Sequence, residues 1–389
     1  FLIYTMEKII IKGITWGHSR GISPLLAFSQ RFSELNPGVE VQWTKRSLQE
    51  FADFPIEKLT EQYDLLIIDH PWVGCAAATN CVLPLESYLP KNYLQDQLDN
   101  SVGRSHQSYH YNGHQWALAI DAATPAASYR PDLFEKNNIS LPLVWDDLIE
   151  LARNGKVAVP AIPIDLLMNF YMFCIASGTT PFLNEEEVVN LESGKAALLL
   201  MKQLYTLVDK KMFQLNPIGV AELMSSSDDY LYCPFAYCYS NYSRAGFSDK
   251  MLKYADMVSL NNQRLKSTIG GTGLAVSAFS QHKDMALAFL TSIVSPKCQS
   301  TFYVENGGQA GHKSAWMSEQ NNLLCNDFFS TLLPVMENGY IRPRYNGYLY
   351  FQDHAGILIQ DFILNKRALE NVLSEINKLY IKSLSFTNK

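Results

Sequence analysis

The stretch that decides the fold runs from Lys8 to Asp69 and opens with KIIIKGIT (Lys8–Thr15), a β-branched, apolar run of the kind that forms a strand buried on both faces of a parallel sheet. A turn rich in Gly, Ser and His follows, from Trp16 to Gly21. Leu25, Leu26, Phe28, Phe32 and Leu35 then form an apolar stripe that predicts a helix from about Pro24 to Leu35. Pro37-Gly38 stops that helix, Val39 to Trp43 reads as a second strand, Leu48 to Gln62 as a helix, and DLLIID (Asp64–Asp69) as a third strand. Three strands alternating with two helices imply a parallel sheet with right-handed crossovers.

Beyond this unit the pattern changes. Asn112-Gly113 carries a hairpin-turn signature. Gln115 to Asp121 and Ala126 to Arg130 are strand-like, and Pro131 and Trp145 each open a helix. Val157 to Pro160 reads as a strand, residues 164–177 and 186–210 as helices, and Leu231 to Tyr239 as an apolar segment amid a second α/β unit. Gly270, Gly271 and Gly273 lead into another strand, LAVS, then a helix from Lys283 to Val294, and from Phe351 onward two helices close the chain.

With 389 residues the chain exceeds one comfortable core, so two domains are expected. A net charge of -6 argues against nucleic acid, whose phosphates need a basic face. The longest apolar runs, such as Ala196 to Met201 and Ala286 to Val294, are too short to span a bilayer. The seven cysteines lack CxxC spacing and read as small buried hydrophobes, although Cys75 with Cys81, or Cys233 with Cys238, can approach in space. Phe1 to Thr5 lacks the basic start and long apolar core of a signal peptide, and Met6 offers another start; with the odd cysteine count this points to a reducing compartment.

Three segments carry a resemblance. YNGHQWALAIDAATPAASYRPDLFEK (Tyr111–Lys136), GGTGLAVSAFSQHKDMALAFLTSIVS (Gly270–Ser295) and the tail from Glu337 to Tyr380 occur in the order and spacing of two crossovers and the closing helices. The chain thus resembles extracellular solute-binding protein family 1, the maltose-binding-protein type, over nearly its whole length. TWGHSRG, IDHPWVG and NGGQAGH mark an atypical subgroup. The resemblance implies a two-lobe periplasmic-binding-protein-like α/β fold (type II), each lobe a mostly parallel sheet flanked by helices, the lobes joined by crossover strands. It places residues 6–120 plus 272–325 in an N-terminal lobe and 121–271 plus 326–389 in a C-terminal one. It further implies a substrate-binding protein of an ABC-type importer, with no cofactor, working as a monomer that closes by a hinge on a small polar solute and delivers it to a membrane permease. The solute is expected in the interlobe cleft, at the C-terminal ends of the strands. Periplasmic or cell-surface placement follows from the family, and cytoplasmic placement from the N-terminus and the cysteines.

The site residues follow from position in such a fold. Trp16, His18, Ser19 and Arg20 lie between the first strand and a helix N-terminus, suited to an anionic or hydroxylated group, or else to a self-capped loop. Asp69 and His70 end the third strand, where Asp69 either accepts from solute hydroxyls or caps a helix. Asp121 lies in the first crossover as a solute contact or a hinge bond. Asp165, read as a residue of the loop after the 157–163 strand, is expected to face the cleft from the second lobe, as are Tyr237 and Tyr239, whose rings either stack on solute or pack in the core. Gly271 and Thr272, with Gly308 and Gln309, suit close backbone approach, and Arg344 with Tyr345 suits a carboxylate clamp or a surface salt bridge.

Other chemistry is weighed against this. His106, His110 and His114 would align as metal ligands on a helix, but Asn112-Gly113 breaks any helix there. No cysteine lies at Ala126 to Tyr129, where a nucleophile on this scaffold is expected. GGTG (270–273) lacks the Lys-Ser/Thr of a phosphate loop and precedes a strand. The rival readings are an enzyme on the same scaffold and a cytoplasmic sensor or carrier.

Overall fold

The structure is a computed structural model and describes residues 8–47 and 56–386. Phe1 to Thr5, Met6 and residues 48–55 of the expected helix Leu48 to Gln62 lie outside the described residues. The remainder of that helix includes a single short turn of helix, Ile56–Leu59. The chain divides into two compact units, Phe1–Ala122 with Gly271–Asn322, and Ala123–Gly270 with Leu323–Lys389.

In the first unit five strands form one sheet, in the order Val39–Arg46, Ile9–Trp16, Leu65–Ile68, Gly270–Val276 and Leu118–Ala123. Ile9–Trp16 pairs in parallel with both its neighbours, from Ile9↔Val39 to Trp16↔Arg46 and at Gly13↔Leu65. Gly270–Val276 returns antiparallel against Leu65–Ile68, so the sheet is mixed. Ile11, Leu65, Leu66 and Leu274 are fully buried, as continuous apolar strands require when both faces are covered. Ser19–Leu35 lays Phe28 and Phe32 edge-on to Phe289 of the helix Lys283–Ile293, with ring centroids 5.3 and 5.2 Å apart. Those aromatic contacts hold two helices together on the sheet.

The first helix starts at Ser19, five residues before the expected Pro24. His18 caps it, its Nδ1 accepting from the Arg20 N–H at 3.0 Å. Pro24 therefore sits inside the helix and not at its first position, where sequence reasoning places proline by default. The hairpin expected at Asn112-Gly113 joins His110–Tyr111 to His114–Gln115, with φ of 51° and 82° at the two turn residues. Positive φ at both central positions is the type I′ requirement that Asn-Gly meets.

The second unit differs from the expectation first in its sheet. Its sheet, in the order Tyr232–Tyr237, Pro125–Tyr129, Lys253–Ala255, is antiparallel throughout. The expected strand Val157 to Pro160 reduces to one parallel bridge between Val157 and Tyr232. Pro160 and Pro163 each lack the N–H that would extend a ladder there. Pro163 instead opens the helix Pro163–Ala176, apolar on nearly all sides, with Leu166, Phe170 and Phe173 fully buried. Leu191–Tyr205 and Tyr348–Ile363 pack on it, tied by Asn169 Nδ2 donating to the Tyr205 hydroxyl at 2.7 Å and by the Tyr171 and Tyr348 hydroxyls at 3.2 Å. A Cβ at Gly356 would lie 2.2 Å from the Pro163 carbonyl oxygen, so only glycine permits this approach.

Candidate functional site

In the first unit the loop after the first strand is built around a buried ion pair. The Arg20 guanidinium donates from Nε to Asp121 Oδ2 at 2.7 Å and from Nη2 to Oδ1 at 2.5 Å, a two-pronged bond on the strand Leu118–Ala123. Arg20 is 3% and Asp121 2% exposed, so the pair is sealed from water. Burial pushes the Asp121 carboxyl up, and the guanidinium beside it pulls it back. Trp16 stacks on the His18 ring at 5.7 Å, and the Arg20 guanidinium lies 5.7 Å from the Trp16 ring centre. Burial and the nearby guanidinium hold the His18 pKa down to about 4, so at neutral pH the imidazole is uncharged. Since its Nδ1 accepts the capping bond, its proton resides on Nε2.

Arg20, expected as a solute contact, and Asp121, expected as a solute contact or a hinge bond, are thus brought together as each other's partners. The reason is charge burial: an isolated ion at either position would be costly, and the pair lowers that cost. Asp69 caps the short helix His70–Trp72, accepting from the His70 N–H at 2.8 Å, while the His70 ring is fully buried edge-on to Tyr109. Gln309 is buried and exchanges hydrogen bonds with Ala122, its Nε2 donating to the Ala122 carbonyl at 2.8 Å. A Cβ at Gly308 would meet the Tyr303 ring at 2.3 Å. Gly271 has φ +88°, and a Cβ there would lie 2.4 Å from the Asp121 carbonyl oxygen; Thr272 beside it is buried. Gly271→Ala is therefore expected to lower the unfolding free energy by about 2–3 kcal/mol, read as a smaller midpoint in urea.

In the second unit Asp165 is not on a loop. It lies in the first turn of Pro163–Ala176, 6% exposed, and its Oδ2 has no hydrogen-bond partner among the described residues. Burial alone pushes its carboxyl up to about 8. The Tyr237 hydroxyl meets Thr268 Oγ1 at 2.6 Å. Tyr239 is buried, its carbonyl accepting from the Tyr254 hydroxyl at 3.0 Å, which makes it a packing residue of the sheet. Tyr345 bonds Ser383 Oγ at 2.7 Å and lies edge-on to Tyr348 and near Tyr380, facing the closing helices. Arg344, close by, is half-buried. Arg130 is buried among Asp132, Asp228 and the carbonyls of Met224 and Ser227, a set of partners the sequence offered no means of pairing.

The histidine series is dispersed. His106 lies on Ser105–Ser108, and His110 and His114 lie on opposite arms of the hairpin, with His114 against Glu86. Among the described residues no three His, Cys, Asp or Glu side chains gather as metal ligands. No described helix is long and apolar enough to cross a membrane.

Residues 20–300, more than half of the chain, match the sequence model for bacterial extracellular solute-binding proteins. The chain belongs to that family. As a solute-binding protein it is similar to maltose-bound MalE3 of T. maritima, at 19% identity over 97% of this chain and 100% of the other, with a TM-score of 0.82. It is also similar to an ABC-transporter solute-binding protein of Agrobacterium radiobacter K84 in complex with ribitol (19% identity, 97% and 99% coverage, TM-score 0.81). The GacH receptor of Streptomyces glaucescens, known with acarbose, matches at 15% identity, 98% and 99% coverage and a TM-score of 0.80. No curated protein matches significantly. These likenesses establish the two-lobe periplasmic-binding-protein fold for this solute-binding protein.

Proposed function

We propose that this chain is the substrate-binding protein of an ABC-type importer, a monomer that takes up a small polar solute, closes on it by a hinge and passes it unaltered to a membrane permease. Trp16, His18, Ser19, Asp69, Asp165, Tyr237 and the glycine-flanked Thr272 are the residues we assign to the solute. The observation that carries this reading is the family match together with full-length likeness to receptors bound to maltose, ribitol and acarbose. The chain's own charges favour the carbohydrate or polyol end of the expected range over the organic-acid end. Of the three arginines read as suiting a carboxylate, Arg20 and Arg130 are buried against Asp121, Asp132 and Asp228, and Arg344 is half-buried. Asp165, buried and with its Oδ2 lacking a hydrogen-bond partner among the described residues, suits hydroxyl groups better than anions.

A thermal-shift screen against sugars, polyols and small organic acids tests the proposal. Solute at 100 times its dissociation constant is expected to stabilise the fold by about 2.7 kcal/mol, and to be recovered with unchanged mass. Stabilisation by organic acids alone would overturn the choice of class, and a chemically altered solute would overturn the binding-protein reading.

A further inference from the structure

The sequence holds five Asn-Gly steps, at Asn112, Asn154, Asn306, Asn338 and Asn346. Such a step is chemically labile, because glycine places no Cβ in the way of its own backbone nitrogen as that nitrogen approaches the asparagine side-chain carbon. Folding suppresses the reaction wherever it ties up the nitrogen or the side-chain amide, since a local opening must then come first. Four of the five steps are tied. The Gly155 N–H donates to the Ala152 carbonyl at 3.0 Å. The Gly307 N–H donates to the Val304 carbonyl at 2.9 Å, and Asn306 Nδ2 to the Phe302 carbonyl at 2.8 Å. The Gly339 N–H donates to the Met336 carbonyl at 3.3 Å, and Asn338 Nδ2 to the Pro334 carbonyl at 2.9 Å. Asn346 Nδ2 donates to the Phe386 carbonyl at 3.2 Å, and Gly347 is packed so closely that a Cβ there would lie 2.2 Å from the Ser383 carbonyl oxygen.

Asn112-Gly113 is different. Both residues are exposed at the tip of their hairpin, and a Cβ at Gly113 would meet nothing within 4 Å. Neither the Asn112 side-chain amide nor the Gly113 N–H has a hydrogen-bond partner among the described residues. The hairpin is two residue pairs deep, His110↔Gln115 and Tyr111↔His114, so its tip opens at small cost. Below the turn the second arm is anchored. The Gln115 N–H donates to Glu86 Oε2 at 3.1 Å, and Gln115 Nε2 donates to the carbonyls of His106 and Ala117.

We infer that Asn112 is a self-modification site, at which the side-chain amide is lost through a cyclic imide and an isoaspartyl or aspartyl residue is left at the hairpin tip. The Gly113 nitrogen gives its proton to a base from solvent and attacks Asn112 Cγ. The N–Cγ bond forms, the Cγ–Nδ2 bond breaks, and ammonia leaves with a proton taken from water. A second water then opens the imide ring. Opening at the former backbone carbonyl carries the chain through Cβ and Cγ and gives isoaspartate, whereas opening at Cγ gives aspartate. In sum one amide and one water become one carboxylate and one ammonium ion, with no oxidant or cofactor. Isoaspartate lengthens the backbone of the turn, which a two-residue type I′ connection does not accommodate, so the two pairs open while Gln115 stays anchored.

The test ages the full native chain in mildly alkaline and mildly acidic buffer, with the chain unfolded in urea as reference, and maps peptides by mass spectrometry. In the native chain the Asn112 peptide is expected to become about 1 Da heavier, with hydroxylamine trapping the imide. It should convert roughly tenfold faster than the peptides of the other four steps, and faster at the higher pH. In urea all five should convert at similar rates, because no fold then holds any of them. A native Asn112 peptide that stays unchanged while its unfolded counterpart converts would overturn the inference, because the turn would then protect its own asparagine. Equal conversion of all five steps in the native chain would overturn it too, because the fold would then not select Asn112. Solute binding is read separately by thermal shift, so failure here leaves the solute reading standing.

Discussion

Arg20→Ala is expected to lower the unfolding free energy by about 3–5 kcal/mol, because it leaves the Asp121 carboxylate buried without its counter-ion. Asp121→Ala should cost a similar amount, leaving the guanidinium stranded. The double variant should cost clearly less than the sum of the two, since neither charge then remains to be solvated. Urea unfolding of the four proteins completes this cycle. Single variants within 1 kcal/mol of the native chain would mean that water reaches the pair and that its burial does not govern stability. The result also bears on function: if Arg20 recognised an anionic solute directly, its loss would abolish binding without a large fall in stability. The geometry predicts the reverse order, with the fall in stability dominating and any loss of binding following from the displaced Trp16 and His18 loop.

Asp165→Asn is expected to remove a pH dependence from stability. The folded-state pKa of Asp165, near 8, lies above the unfolded value of about 3.9. Below pH 4 the group is protonated in both states and there is no loss. As pH rises from 4 towards 8 the unfolded chain releases the proton first, so stability falls, and above 8 the loss is complete. At pH 7 the difference is on the order of 4 kcal/mol, approached at about 1.4 kcal/mol per pH unit. Asparagine keeps the shape and does not titrate, so the variant's urea midpoint should be flatter between pH 4.5 and 7.5. The same substitution is expected to weaken the proposed solute's affinity, the usual opposition between stability and function at a binding residue. Parallel pH profiles for the two proteins would show that water or a partner solvates the native carboxyl.

Much of the architecture is legible in the sequence alone. Continuous β-branched and apolar runs at Lys8 to Thr15 and Asp64 to Asp69 have no other economical placement than a covered sheet, and Ile9–Trp16 and Leu65–Ile68 occupy it. Asn112-Gly113 specified its own turn, because few residue pairs accept two successive positive φ values. These are local constraints, settled by the sterics and apolarity of neighbouring residues.

Pairing across the chain was not local and was not legible. Arg20 and Asp121 are 101 residues apart, and nothing in either segment says that one would neutralise the other. His18 cannot be identified as the helix cap from its type alone, and the apolar stripe by itself starts the helix only at Pro24. The antiparallel order of the second sheet depends on which segments fold back beside Pro125–Tyr129, and on prolines that deny Val157 to Pro160 a ladder. Asp165 shows the division within one residue. Its type and its place just after Pro163 were plain in the sequence. The burial that moves its pKa was decided only by the tertiary packing around it, because desolvation is a property of everything that surrounds a group and not of the segment that carries it.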